Sequence, residues 1–203
     1  SHKINQILNQ YKDFSKEELE ISNNIVSTYG RIISKRGPFT QIRLDEDNCQ
    51  IYVNNKMNQE LFDFVSKLDI GDIVWVQGTV MKTMTGEIAI KAQEVKLMSK
   101  SLKVLPEKYH GLVDVEERYR HRYVDLIVNK DVRETFKLRT KIISSLRHFM
   151  DQRGYLEVDT PILHPILGGA AARPFTTHHN ALNREFYLRI ATELPLKKLI
   201  VGG

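Results

Sequence analysis

The chain contains a single cysteine, and this scarcity excludes two kinds of site. Cys49 cannot form a disulfide within the chain, and it cannot belong to a zinc site built from several cysteines. No run of about eighteen apolar residues is present, and the polar N-terminus lacks the apolar segment of a signal peptide. These absences predict a protein of the cytoplasm, with no membrane partner.

The short motifs of common catalytic and nucleotide-binding sites are missing as well. The sequence has no Gly-x-Ser-x-Gly elbow, no Gly-x-x-x-x-Gly-Lys phosphate loop and no His-Glu-x-x-His metal site. His178 and His179 are adjacent, and neighbouring residues of a strand point to opposite faces. We therefore expect both histidines to be structural, and we predict no metal site in this stretch.

What the chain does have is the composition of an ordinary globular protein of one or two domains. Of its 203 residues, 41% are hydrophobic and 27% are charged. The formal net charge is +5, and residues 111–203 carry most of it. Such a mildly basic balance is compatible with an RNA partner without requiring one.

The first hundred residues follow the order of an OB-fold. Residues 1–22 predict a helical lead-in, with Ser15 and Glu18 spaced as a capping box. Residues 23–100 then predict five strands, with one helix at 58–68 after the third strand. The predicted strands are 25–34, 39–44, 49–53, 73–81 and 87–98.

A barrel of this kind binds single-stranded nucleic acid on one face, where aromatic side chains stack on bases. Phe39 is the candidate for stacking, and Gln50 lies one strand further on. Arg31, Lys35 and Arg36 precede Phe39 as candidate basic contacts. The alternative is that Phe39 is simply a core residue of the barrel.

The segment 101–130 is predicted to be a linker followed by a charged connector helix. Its basic cluster consists of Arg118, Arg120 and Arg122. Two interpretations stay open at this stage, an ion-paired solvated face and a contact with RNA.

A long amphipathic helix is predicted over 131–153, and Gly154 stands where a left-handed residue ends such a helix. The apolar residues Tyr155, Leu156 and Val158 then predict a short strand. Pro161 cannot donate to a ladder, so this strand suits a sheet edge or an interface.

The order of long helix, Arg153-Gly154-Tyr155, short strand and Thr160-Pro161 resembles motif 1 of the class II aminoacyl-tRNA synthetases. The runs 172–182, 187–194 and 199–203 are similar to the lysyl-tRNA synthetases in particular, of the bacterial type. The aspartyl and asparaginyl members share this plan, but residues 173–175 and 187–191 argue against them.

The resemblance implies an α+β architecture, with a five-stranded OB-fold barrel that binds the anticodon. The start of an antiparallel class II catalytic domain would follow over 131–203. It also implies a lysine-tRNA ligase that uses ATP to make lysyl-adenylate and transfers the lysyl group to the 3′ end of lysine tRNA. The protein would be a homodimer, and motif 1 would contribute Arg153, Gly154 and Pro161 to its interface.

The resemblance also assigns individual residues. It places Phe39, Gln50 and Glu87 at the tRNA anticodon, and we add Arg36 to this set. The first hairpin is shorter than usual in the family, so the choice among its basic residues stays open. The resemblance places Gly169 and Glu193 at the substrate lysine. Pro195 departs from many relatives, and a proline is tolerated there only at the start of a helix.

No catalytic residue is expected in this stretch. Motifs 2 and 3 and the ligands of Mg²⁺ are expected beyond Gly203, so the 203 residues alone are expected to be inactive. The alternative is a non-catalytic RNA-binding fragment or paralogue that lacks the ATP site.

Overall fold

Two helices precede the first strand in the computed structural model, which describes residues 2–56, 58–103, 105–106 and 112–203. They are α1 (Ile4–Tyr11) and α2 (Lys16–Ser22). The predicted capping box begins α2, because Ser15 Oγ accepts from the Glu18 amide at 3.1 Å and Glu18 Oε2 accepts from the Ser15 amide at 2.7 Å. The helical lead-in is therefore confirmed.

Five strands follow, with one helix after the third, as the sequence predicts. The elements are β1 (Ile25–Arg36), β2 (Phe39–Leu44), β3 (Asp47–Tyr52), α3 (Gln59–Ser66), β4 (Ile73–Lys82) and β5 (Ile88–Ser99). The strands pair in the closed order β1-β2-β3-β5-β4, and β4 returns to pair with β1. All pairs are antiparallel except that of β3 with β5.

The core of this barrel consists of the inward side chains of its strands, joined by buried side chains of α1. The alternating pattern buries Ile32, Ile42 and Ile90 completely, and it sends the residues between them outward. Ile4 and Ile7 of α1 are each 1% exposed and join the same cluster. Each such isoleucine contributes roughly 2 kcal/mol by leaving water.

An irregularity in β1 decides which of its residues face outward. The register with β2 shifts between Ile32 and Ser34, which is where a bulge inserts one extra residue. Ser34 consequently pairs with Gln41, and Arg36 pairs with Phe39. The bulge places the end of β1 on the same outer face as the polar residues of β2.

The connector contains α4 (Val115–Arg120) and α5 (Arg122–Val128), which surround a buried carboxylate. Asp125 is fully buried, accepts from Arg118 Nε at 3.0 Å and Asn129 Nδ2 at 2.6 Å, and pairs with Arg122. Burial raises the pKa of Asp125, but the hydrogen bonds from Asn129 and Arg118 and the nearby arginine charges outweigh it and lower the pKa.

The arginine cluster of the connector is therefore ion-paired. Arg120 also pairs with Glu116, at 2.7 Å. Of the two interpretations of this cluster, the structure supports the ion-paired face. Residues 104 and 107–111 of the predicted linker lie outside the described residues.

The chain divides into two compact units, Ser1–Glu134 and Thr135–Gly203. The long helix predicted over 131–153 is α6 (Lys130–Asp151). Gly154 ends it with φ 78°, while the Tyr155 amide bonds to Met150 O and the Gly154 amide bonds to Asp151 O. This pair of bonds is a Schellman motif, so the predicted end of the helix is confirmed.

The short strand predicted at Tyr155, Leu156 and Val158 is wrong. These residues are extended without a ladder, because no described segment pairs with them, and all three side chains are exposed. The sheet of the second unit instead contains β6 (Leu163–His164), β7 (Thr176–His179) and β8 (Arg184–Leu188) in the antiparallel order β6-β8-β7. Helix α7 (Glu193–Val201) follows, and Pro195 is its third residue, at the start of the helix as the sequence requires.

Candidate nucleic-acid interface and glycine-rich loop

A groove on the outer face of β1, β2 and β3 contains three of the four residues predicted to contact RNA. Its lining is Ser34, Arg36, Phe39, Gln41 and Gln50. A two-residue turn at Gly37 and Pro38 joins β1 to β2, which places Arg36 directly opposite Phe39. We call this the aromatic groove.

Phe39 lies outside the buried core cluster of the described residues, so it is not simply a core residue. Its side chain is half-buried, and its ring centroid is 5.0 Å from that of Tyr52 with 46° between the ring planes. Tyr52 is the partner of Phe39 in the β2–β3 register. One face of the phenyl ring is thus supported from the next strand, which prepares the ring as a stacking platform.

The fourth predicted residue, Glu87, reaches the groove from the turn that precedes β5. Glu87 Oε2 accepts from Gln50 Nε2 at 2.5 Å. The turn is closed by Thr83, whose amide donates to Glu87 O at 2.9 Å and whose Oγ1 accepts from the Glu87 amide at 3.1 Å. Glu87 accepts from one of the two N–H groups of the Gln50 side-chain amide, and Gln50 Oε1 is the atom of this amide that can accept from a ligand.

Of the three basic residues before Phe39, only Arg36 lines this groove. Arg31 Nη1 donates to Gly71 O at 2.8 Å, and Lys35 Nζ donates to Ser66 O and Leu68 O at the end of α3. Burial lowers the pKa of Lys35. Arg36 is exposed, so its guanidinium can approach a phosphate at the mouth of the groove.

The second unit brings together the two residues predicted to hold an amino acid. Gly169 has φ 92°, and a side chain at this position would place its Cβ 3.6 Å from Ala191 Cβ and 4.0 Å from Glu193 Cβ. The glycine-rich loop therefore lies against the first residue of α7. The positive φ of Gly169 is a backbone conformation that favours glycine over residues with a side chain.

Glu193 already binds an ammonium group. Its Oε1 is 2.6 Å from Lys197 Nζ, one helical turn along α7. This hydrogen bond and the charge of Lys197 lower the pKa of Glu193 below its usual range. Since the side chains of both residues are largely exposed, the pair is accessible to exchange with a free amine.

The residues predicted for an interface lie at the end of α6 and beside β6. The Arg153 guanidinium lies 3.4 Å above the Phe149 ring and donates to Phe149 O at 2.9 Å. Gly154 closes the helix, as described above. Pro161 lies further on, and its carbonyl is 3.0 Å from His164 Nε2.

Comparison with known proteins matches both halves of the chain to families. Residues 114–203 match the model of tRNA synthetases class II (D, K and N), and residues 26–98 match the OB-fold nucleic acid binding domain. Residues 114–203 are thus similar to the class II tRNA synthetases, and residues 26–98 are similar to OB-fold domains. The predicted OB-fold domain and the predicted resemblance to this class of synthetases are both confirmed.

Three similar curated proteins carry the name lysine–tRNA ligase. The chain is 58% identical to a lysine–tRNA ligase of Mycoplasma mobile over 98% of its own length and 41% of the relative. It is 54% identical to that of Metamycoplasma arthritidis and 50% identical to that of Bacillus cytotoxicus, in each case over 100% of this chain and 42% of the relative. The chain thus spans about two fifths of the length of these synthetases.

Residues 114–203 contain one well-defined contact that the sequence patterns did not predict, between Arg189 and Thr160. Arg189 Nη1 donates to Thr160 O at 2.8 Å and to Thr160 Oγ1 at 2.6 Å, and Thr160 is buried. The Arg189 amide also donates to Ile162 O at 2.8 Å. Arg189 therefore fixes the backbone on both sides of Pro161, and its separation of 29 residues from Thr160 hides this role from local patterns.

The described part of this synthetase segment and of the OB-fold contains no cluster of three or more His, Cys, Asp or Glu side chains suited to a metal. His179 instead accepts from the Leu182 amide through Nδ1 at 3.2 Å, and its ring packs 5.3 Å from that of Phe186. Both contacts lie within the second unit and support the structural role predicted for this histidine. Among the described helices, none combines the length and the apolar character needed to cross a membrane.

Proposed function

We propose that this chain is part of a protein that attaches lysine to lysine tRNA. The observation that carries the proposal is the 58% identity to a lysine–tRNA ligase across both family segments. In this reaction the lysine carboxylate attacks the α-phosphate of ATP, and pyrophosphate leaves. The lysyl group of the adenylate then passes to the terminal adenosine of the tRNA, and AMP leaves.

The aromatic groove is proposed to bind the anticodon. A base stacks on the exposed face of Phe39, and Gln50 Oε1 accepts a hydrogen bond from the edge of that base. Glu87 fixes the Gln50 amide in this orientation through the 2.5 Å hydrogen bond. Arg36 neutralises phosphate at the mouth of the groove.

The glycine-rich loop and the start of α7 are proposed to hold the substrate lysine. The α-ammonium group of lysine takes the place of the Lys197 ammonium beside Glu193. Gly169 permits the approach because a side chain there would contact Ala191 and Glu193. A charge-assisted hydrogen bond of this kind is the strong way to bind an ammonium group.

A homodimer is proposed to cover the exposed apolar surface of the second unit. Phe136, Ile143, Leu146 and Met150 of α6 are between 37% and 62% exposed, and Leu156 is 88% exposed. A two-fold interface buries the same patch on both subunits. The segment from Arg153 to Pro161 would contribute to it, with Gly154 directing the chain away from the helix.

ATP and Mg²⁺ are proposed as the further requirements of the reaction. The proposal assigns their ligands to the part of the relatives' length that these 203 residues do not span. It also places the protein in the cytoplasm, together with its tRNA substrate. What the present chain contributes is recognition of the tRNA and one wall of the lysine pocket.

The test is ATP–pyrophosphate exchange by the full-length protein. Lysine should support exchange, whereas aspartate and asparagine should not. Exchange driven by aspartate or asparagine would assign the protein to another member of the same subclass. Binding of lysine tRNA without exchange by any of the three would support the non-catalytic alternative.

A further inference from the structure

A cleft within the first unit lies between the barrel and the connector. It encloses about 250 Å³, and its lining includes three arginines, Arg31 of β1, Arg43 of β2 and Arg133 near the start of α6. All of its lining residues fall within Ser1–Glu134. We call it the arginine cleft.

The strand register places two of these arginines opposite each other. Arg31 pairs with Arg43 in the β1–β2 ladder, next to the inward pair Ile32 and Ile42, so both arginine side chains lie on the outer face of the barrel. Like charges that face each other across two strands destabilise a sheet. An anion bound between them would remove this cost.

Backbone carbonyl groups orient the guanidinium groups at the connector. Arg43 Nη1 donates to Ile127 O at 3.1 Å. Arg133 donates from Nε to Leu126 O at 2.8 Å and from Nη1 to Asp45 O. These contacts tie the connector to the barrel, and they leave Nη2 of both arginines without a hydrogen bond among the described residues.

The positive charges of the arginine cleft are not balanced by ion pairs. Among the described residues, no carboxylate pairs with Arg31, Arg43 or Arg133. The lining contains one carboxylate-bearing residue in the described part of the chain, Asp45, which is exposed and meets Arg133 through its backbone carbonyl. Burial and the charge of Arg133 lower the pKa of Arg43, so the two guanidinium charges act on each other. Arginine donors in this number suit an anion that carries more than one phosphate group.

The rest of the lining is largely apolar and includes an aromatic ring. Tyr29 lies two residues before Arg31 on the same face of β1 and is 42% exposed, and Ile73 and Ile127 line the cleft as well. Inorganic phosphate has no use for such a surface. A nucleotide has both parts, because its base packs on aromatic and apolar side chains while its phosphate groups accept from arginine.

We propose that the arginine cleft binds a nucleoside diphosphate, with its phosphate groups at Arg31, Arg43 and Arg133 and its base against Tyr29. A nucleoside diphosphate carries about three negative charges, which matches three guanidinium groups. Because the ligand contacts β1, β2 and α6, its binding strengthens the attachment of the connector to the barrel. The inference does not depend on the proposed anticodon and lysine sites. The alternative is that the arginines serve only to tie the connector to the barrel, in which case phosphate compounds have no specific effect.

The test is isothermal titration calorimetry of the 203-residue chain with ADP, pyrophosphate and adenosine. ADP should bind, pyrophosphate should bind about tenfold more weakly, and adenosine should not bind at the same concentrations. Absence of ADP binding at about millimolar concentration would overturn the inference. Pyrophosphate that binds as tightly as ADP would overturn the assignment of a nucleoside.

Arg31→Gln is the variant that disturbs the connector least, because the hydrogen bond of Arg31 goes to Gly71 O and glutamine keeps a donor. It should weaken ADP binding about tenfold or more. Arg120→Gln is the matched control, since Arg120 lies in the connector outside the arginine cleft and pairs with Glu116, and it should leave the affinity for ADP unchanged. Equal ADP affinity of Arg31→Gln and the unmodified chain would contradict the proposal.

Tyr29→Ala separates binding of the base from a general structural role. It should weaken binding of ADP several-fold and leave binding of pyrophosphate unchanged. Equal weakening of both ligands would show that the variant disturbs the cleft as a whole, and it would contradict the place assigned to the base. An unpaired RNA that displaces ADP from Phe39→Ala as well as from the unmodified chain would assign the arginine cleft to RNA phosphates and overturn the proposal.

Discussion

The two units of this chain differ in how many of their apolar side chains are buried. In the first unit the barrel strands and α1 bury a continuous cluster of isoleucine, leucine and valine side chains. In the second unit, the only described residue classed as buried is Thr160, and many large apolar side chains are exposed. The first unit therefore carries its own core, whereas the second leaves large apolar side chains exposed in a chain that spans about two fifths of the length of its relatives.

The difference in stability between the units is tested by removing the same side chain from each. Ile42→Ala empties a fully buried site of the barrel and should lower the free energy of unfolding by about 2–5 kcal/mol. Ile142→Ala, at a site that is 59% exposed on α6, should change it by less than about 1 kcal/mol. Urea unfolding followed by circular dichroism measures both. Similar losses would show that the second unit has a core of its own.

A buried carboxylate sharpens the comparison, because it links stability of the first unit to pH. Asp72 is fully buried and accepts from Lys100 Nζ and from the Asp69 and Ser101 amides, each at 2.8 Å. Burial raises its pKa, but these hydrogen bonds and the Lys100 charge outweigh it and hold the pKa below the usual value.

Asp72→Asn should therefore cost about 1.5–3 kcal/mol at neutral pH. Because the folded-state pKa is depressed, the contribution of Asp72 is present above pH about 4 and is lost as the pH falls through the folded value. Urea titrations at a series of pH values measure both effects. The difference in the free energy of unfolding between Asp72→Asn and the unmodified chain should disappear in acid. A difference in the free energy of unfolding that persists at the lowest pH would show that the charge of this carboxylate is not its cause.

RNA binding should depend on the first unit, and on the aromatic groove in particular. Phe39→Ala should weaken binding of lysine tRNA by about 1–3 kcal/mol, the range for loss of one stacked base. Tyr29→Ala removes an aromatic side chain that is 42% exposed and lies outside the aromatic groove, so it should leave the affinity unchanged. A filter-binding titration compares the two. Equal affinity of Phe39→Ala and the unmodified chain would exclude stacking.

Amino-acid binding should depend on the second unit. In the full-length protein, Glu193→Gln should raise the KM for lysine about tenfold and should change the KM for ATP much less, because it weakens one charge-assisted contact with the ammonium group. Pyrophosphate exchange at varied lysine and varied ATP measures the two constants. Lys197→Ala is the matched control, since it removes the internal competitor and should not raise the KM for lysine. Parallel rises in both constants for Glu193→Gln would argue for a general structural defect.

The sequence predicted the positions of the helices and strands better than it predicted which strands pair with one another. Alternation and turn residues placed all five barrel strands, because those signals are local. They could not show that Tyr155 to Val158 lacks a partner strand, since a ladder depends on distant residues. The outward position of Arg36 depends on the bulge after Ile32, which no local pattern marks.

In the candidate site, too, some residues were predicted from the sequence and others are found only in the tertiary structure. Phe39, Gln50 and Glu87 were predicted from a family resemblance, whereas the place of Gln41 in the aromatic groove follows only from the strand register. Contacts such as Arg189 with Thr160 join segments far apart in the chain. These features depend on tertiary structure, so composition and periodicity cannot reveal them.

The most direct test of the account is to compare two RNAs on the 203-residue chain, lysine tRNA and the same tRNA with its central anticodon base exchanged. The account predicts that the exchange weakens binding about tenfold or more, because one base loses both its stacking on Phe39 and its hydrogen bond to Gln50. Equal affinity for the two RNAs would contradict the assignment of the aromatic groove as the anticodon site.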